Sequence, residues 1–288
     1  MSEQTLTGWN WSGRYLRDTD TRSAFGFETE REDSPSSAFS KVPQVALGFW
    51  IIKIAATTLG ETGGDALSMS LNLGYLLSTA IFFAFFLILV IAQIRAKKFH
   101  PYLYWGTIVG TTLAGTTMAD FADRSLGIGY PGGSAVLFAL VIASLIVWRL
   151  AVGTVSVSNI VTPKAEMFYW ITILFSNTLG TALGDWTSEG TGFGGGVLLF
   201  IGLLAIVAGL YFFTKISRTI LFWTAFILTR PFGASMGDLL TKPHADGGLN
   251  LGRFAASGAI ALFMIVCILL FPQRAGSHPG HPDSGSAA

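Results

Sequence analysis

Charge and cysteine are both scarce in this chain of 288 residues. Only 12% of it is Asp, Glu, Lys or Arg, and the formal net charge is +1. No basic excess of the kind that holds nucleic acid is available, and no nucleic-acid partner is expected. The single cysteine, Cys267, lies in an apolar run, which excludes a disulfide framework and a cysteine metal site. The histidines at 100, 244, 278 and 281 have no partners at metal-ligand spacing. No Walker loop and no zinc-protease motif is present, and no nucleophile elbow is expected. No nucleophile–base pair stands out either, so the chain is not expected to be an enzyme, and no cofactor is expected.

Apolar sequence is what the chain has in quantity: 51% of residues are hydrophobic and the mean hydropathy is +0.56. That is the composition of a polytopic membrane protein, with the lipid bilayer as its principal partner. Eight apolar stretches fall near 43–65, 71–94, 101–121, 130–150, 165–185, 193–214, 218–238 and 253–271. Each is close to the roughly 20 residues that a spanning helix needs. The first apolar run begins near Val42, and nothing before it reads as a signal peptide. Residues 1–42 are polar and 274–288 are rich in Gly, Pro and Ser, so both ends are expected to be disordered.

One pattern recurs four times. Fifteen residues separate Trp50 from Asp65, Trp105 from Asp120, Trp170 from Asp185 and Trp223 from Asp238. An aromatic precedes each tryptophan (Phe49, Tyr104, Tyr169, Phe222), and a glycine follows ten residues after it (Gly60, Gly115, Gly180, Gly233). This is an internal repeat. It divides the chain into units 43–98, 99–160, 161–216 and 217–273, each read as a hairpin of two transmembrane helices. The expected fold is all-α, with eight transmembrane helices as four tandem parallel repeats about an axis along the membrane normal. Basic residues crowd one side: Lys41, Arg95, Lys97, Lys98, Arg149, Lys164, Lys215, Arg218 and Arg274, against Arg124, Lys242 and Arg253 on the other. The positive-inside rule then puts both termini in the cytoplasm.

Positions 7, 11 and 15 after each tryptophan share one helix face. They are Thr57, Glu61 and Asp65; Thr112, Thr116 and Asp120; Asn177, Thr181 and Asp185; Arg230, Ala234 and Asp238. Lys53 extends the first row by one step. A charge at the bilayer centre costs at least ~2.5–3.5 kcal/mol on insertion scales, so these ridges should face the bundle interior. Beside each ridge runs a pair of small residues four apart, Gly60/Gly64, Gly115/Ala119, Gly180/Gly184 and Gly233/Gly237, which allows close helix approach. The aspartates have a second reading, as caps of the helix ends. Capping does not explain Lys53, Glu61 or Arg230, whose second reading is a buried ion pair that fixes helix register, with Arg230 expected to pair across helices with Glu61 or Asp65. The tryptophans read as anchors at the membrane boundary.

Four tandem two-helix repeats, each with one characteristic tryptophan, resemble a bacterial family of integral membrane proteins of unassigned function, often labelled membrane-anchored proteins. The resemblance covers residues 43–271 and implies a bacterial inner-membrane location. A weaker likeness links Glu61-Thr62-Gly63-Gly64-Asp65 to the Glu-x-Gly-Asp motifs of cation exchangers and manganese exporters, with one residue more between Glu and Gly-Asp. Oxygen donors suit hard cations. The expected function is therefore secondary transport, exporting a small divalent cation such as Mn²⁺. Glu61, Asp65, Asp120, Asp185, Asp238, Thr57, Thr116 and Asn177 are its expected ligands, and the first four of these are the metal carboxylates. Lys53 and Arg230 are expected as counter-charges. The alternative is a membrane-embedded regulatory or interaction protein, its ridges only zipping helices together. Nothing in the chain forbids a homo-oligomer.

Overall fold

A computed structural model describes residues 40–157 and 160–276. Most of both tails expected to be disordered lies outside the described residues. The described chain is helical: α1 (Leu47–Asp65), α2 (Gly74–Arg95), α3 (Pro101–Asp120), α4 (Tyr130–Val152), α5 (Pro163–Phe213), α6 (Arg218–Thr241) and α7 (Arg253–Leu270). Short π-helical turns, Ala66–Ser70 and Phe121–Ser125, extend α1 and α3. Gly192 interrupts α5 with φ 72° and ψ 166°, a conformation closed to most residues with a Cβ. It divides the 51 residues into arms at 163–191 and 193–213. The α4 hairpin turns on the same geometry, with φ 75° and ψ 153° at Gly129.

Helices α2, α4, α5 and α7 are long and apolar enough to cross a membrane, which makes the protein a membrane protein. Their hydrophobic side chains are widely exposed, among them Leu76, Ile88, Val136, Phe138, Leu198, Leu262 and Leu269. Helices α1, α3 and α6 are of similar length but carry the polar ridges, which lower their hydropathy.

The four motif-bearing segments (α1, α3, the first arm of α5, α6) form a closed inner ring in that order, with α6 returning to α1. The small-residue pairs set its geometry. A Cβ on Gly60 would stand 2.4 Å from the Thr112 side chain, on Gly115 3.0 Å from the Thr178 nitrogen, on Gly180 2.2 Å from Arg230 Cγ, and on Gly233 2.3 Å from Thr57 Oγ1. Each helix thus presents its small stripe to the ridge of the next, four times around, and the fourth contact closes on the first. Hydroxyls seal the joints: Thr112 Oγ1 donates to Ala56 O at 3.1 Å, Thr116 Oγ1 to Gly60 O at 3.1 Å and Thr57 Oγ1 to Thr229 O at 3.2 Å. Such interhelical bonds contribute about 0.6 kcal/mol each on average. The outer helices follow the same rotation. Helix α2 packs on α3, α4 on α5, and α7 on α1, while Gly196 of the second arm of α5 lies against Ser235 of α6.

The tryptophans are not boundary anchors. Trp105, Trp170 and Trp223 are buried and Trp50 is half-buried. Each aromatic of the preceding position packs on the next repeat's tryptophan, with ring centroids at 5.4 Å (Phe49–Trp105), 5.7 Å (Tyr104–Trp170), 6.3 Å (Tyr169–Trp223) and 5.8 Å (Phe222–Trp50). This aromatic pinwheel closes one end of the ring, with the Tyr104 and Tyr169 hydroxyls 2.6 Å apart inside it. Extended segments cross the same end. Pro43 bridges to Ala275, Lys41 pairs with Glu166 at 2.5 Å, Trp105 Nε1 donates to Gln273, and Trp223 Nε1 donates to Val155 O. The other end carries the aspartates.

Candidate functional site

The ring interior is a stack of four-residue steps, about 6 Å apart along an ideal helix. Above the aromatic pinwheel lie Lys53, Ile108, Ile173 and Phe226, three residues after the tryptophans, all buried. The Lys53 ammonium lies 4.0 Å from the Phe226 ring centroid and donates to Asn177 Oδ1 at 3.2 Å. Asn177 passes the interaction on, its Nδ2 donating to Thr111 Oγ1 at 2.7 Å.

Arg230 crosses the next two layers. Its NH2 donates to Glu61 Oε2 at 3.1 Å, Thr116 Oγ1 at 2.5 Å and Thr181 Oγ1 at 2.6 Å, and NH1 donates to Thr57 O at 3.4 Å. One guanidinium, completely buried, therefore joins all four inner segments. It reaches the layer eleven residues past the tryptophans because α6 contributes only Ala234 there, leaving room on the axis. The expected cross-helix pair of Arg230 with Glu61 is present, at 3.1 Å.

In the following layer Asp65, Asp120, Asp185 and Asp238 are all buried. Asp65 and Asp120 make no side-chain cap hydrogen bond, and Asp185 and Asp238 lie inside their helices, so the capping reading does not describe them. Two cations bind them in pairs. Arg124 meets Asp120 at 3.1 Å and Asp185 at 2.9 Å; Lys242 meets Asp65 at 2.8 Å and Asp238 at 3.0 Å. Arg253 of α7 adds a contact to Asp65 at 3.5 Å. Arg124 and Lys242 occupy the same place in repeats two and four, nineteen residues after the tryptophan. This superposes a two-fold pattern on the four-fold ring. Sequence reading counted both only as flanking bases; their spacing, one helical step beyond the motif aspartate, is the signal that marks them.

All ten side chains expected in the site are buried. They are not all together. Glu61, Asp65 and Asp238 each bring a carboxylate oxygen within 4.8 Å of the others, whereas Asp120 and Asp185 form the Arg124 half. The metal carboxylates expected from sequence were Glu61, Asp65, Asp120 and Asp185, so the geometry exchanges the last two for Asp238. Thr116 shares the layer of Glu61 and donates to its Oε2 at 3.4 Å, while Thr57 and Asn177 lie one layer deeper. Lys242, just past the end of α6, is opposed by burial, but Asp238 and Asp65 raise its pKa above the ordinary lysine value. Its charge and its ion-pair contribution are thus fully present at neutral pH and are lost only as pH rises past the lysine range.

Gly233-Ala234-Ser235-Met236-Gly237 has the letters of a hydrolase nucleophile elbow, a match that sequence reading passed over. That motif requires a sharp strand-to-helix turn. Here it lies in mid-helix, with Ser235 fully buried and its Oγ 3.5 Å from Ser188 Oγ. Two glycines spaced for close packing account for it.

A repeat of unknown function, DUF347, matches the chain four times, over residues 48–99, 103–154, 168–217 and 221–275. No curated protein and no solved structure matches.

Proposed function

Taking as premise that the chain belongs to the DUF347 repeat family, we propose that it is a secondary transporter exporting a small divalent cation such as Mn²⁺. The observation that carries this is the convergence of Glu61, Asp65 and Asp238 within 4.8 Å in the interior of the ring. Carboxylates so close repel one another unless a cation or a bound proton offsets their charge. Oxygen donors of this kind suit a hard divalent ion. Eight membrane crossings accompany the reading, because α1, α3 and α6 have spanning length and Gly192 makes two arms of α5. The basic residues orient the aromatic end toward the cytoplasm of a bacterial inner membrane. Reporter fusions at residue 97 should then read as cytoplasmic and at residue 126 as periplasmic. A periplasmic signal at 97 inverts the orientation.

Charge removal tests the function, and the geometry selects the residues. Glu61→Gln leaves Arg230 without its counter-ion, so it confounds transport with folding. Asp65→Asn and Asp238→Asn each leave Lys242 one carboxylate. In cells expressing these variants at matched abundance, Mn²⁺ accumulation should rise to the level of cells without the protein. Accumulation equal to wild type in both variants rejects the transport reading. It leaves the regulatory or interaction protein, which draws its support from the pairing of each of these carboxylates with a resident base.

A further inference from the structure

The carboxylate cluster already holds a cation, and it belongs to the chain. Lys242 is pinned at its backbone. A Cβ on Gly248 would stand 2.1 Å from Lys242 O, Asn250 N donates to that oxygen at 2.9 Å, and the Leu249 and Leu251 amides donate to Leu239 O and Leu240 O at 2.7 and 2.8 Å. Motion is therefore left to the side chain, which is 13% exposed while those of Asp65 and Asp238 are 2% and 3% exposed. The Lys242 side chain is thus more exposed than the two aspartates it pairs with. Asp238 Oδ1 lies 3.0 Å from that ammonium yet accepts no hydrogen bond, although Asp238 is buried. The ion-pair partner of this oxygen is the Lys242 ammonium, which occupies the place a divalent cation would take.

The other half of the ring supplies the comparison. There Arg124 spans Asp120 and Asp185, and the layer beneath offers Thr181 where the Lys242 half offers Glu61. A guanidinium matches carboxylates through a fixed planar fork, whereas an ammonium is a compact point charge on a flexible stem. The half with the third carboxylate carries the base that is easier to displace.

We propose that Lys242 is a tethered competitor at the site of Glu61, Asp65 and Asp238. Its ammonium holds the substrate's place when the site is closed and swings toward solvent when a divalent cation enters. The inference rests on the cation-transport reading and specifies how that site is regulated.

Mn²⁺ alone, titrated calorimetrically into the detergent-purified full chain, is the probe. A tethered group competes at high effective concentration, so Lys242→Met should bind Mn²⁺ about a hundredfold more tightly than wild type. Should the variant fail to fold, wild-type protein still decides. Acylation of Lys242 by a water-soluble amine reagent, read by mass spectrometry, should rise several-fold when Mn²⁺ is added. Mn²⁺ binding to wild type with unchanged Lys242 acylation, or with equal or weaker affinity in Lys242→Met, overturns the competitor and leaves the transport reading standing. Absence of Mn²⁺ binding in both proteins removes the transport reading and this inference with it.

Discussion

Arg230→Ala is expected to lose about 3–5 kcal/mol of stability, the cost of stripping a buried charge of its partner. The guanidinium is completely buried and bonds to groups on α1, α3 and α5 from its place on α6. Truncation strands the Glu61 carboxylate and empties the axis at one stroke. Replacing both members by apolar residues is a different matter, since a buried pair often gives way to hydrophobic side chains with little loss. Arg230→Met combined with Glu61→Met should therefore recover most of the stability lost by Arg230→Ala. Thermal unfolding in detergent measures both. A stable Arg230→Ala protein would mean that the pair does not hold the ring together.

Gly233→Val should be nearly as damaging, for a steric reason. A Cβ there meets Thr57 Oγ1 at 2.3 Å and the Thr57 backbone carbon at 2.9 Å, so relief requires α6 and α1 to separate. Overpacking of this kind costs about 3 kcal/mol. The contact closes the ring, and separation there should also loosen the Thr57–Thr229 bond and the approach of Glu61 to Gly237. Gly202, with nothing within 4 Å of its Cβ direction, is the control, where alanine should be neutral or slightly stabilising in a helix. Comparable melting temperatures for Gly233→Val and Gly202→Ala would refute the interlock.

Much of this was readable in the sequence. The fifteen-residue spacing gave the repeats, and the four-residue spacing gave the ridges and their burial. The helix ends fall within a few residues of expectation except near Asp185. There the helix runs on to Gly192, because continued Thr, Ser and Gly residues do not by themselves end a helix. The order of neighbours around the ring was not readable, since a face identified along one helix does not say which helix will meet it. The tryptophans were misread for a related reason. Distance from the aspartates fixes depth in the bilayer but not azimuth, and depth alone suits a boundary anchor. Extending the ridge backward by four from Lys53 arrives at Phe49, and the same step gives Tyr104, Tyr169 and Phe222. Those aromatics had to face inward, carrying the adjacent tryptophans with them. Extending it forward by four from the aspartates finds Arg124 and Lys242. Each extension needs only the helical period already in use.

The ring closes by four like interfaces, yet its interior holds one Glu61, one Arg230 and one Lys53. Four separate identical subunits could build the same interlock, but rotation would then copy each charge to four equivalent places at one level. Four guanidiniums facing each other across an axis would drive the assembly apart. Joining the copies in one chain frees each to differ, so a single acid can oppose a single base where the symmetry axis runs. Covalent linkage is thus what permits an asymmetric charge arrangement inside a rotationally repeating scaffold.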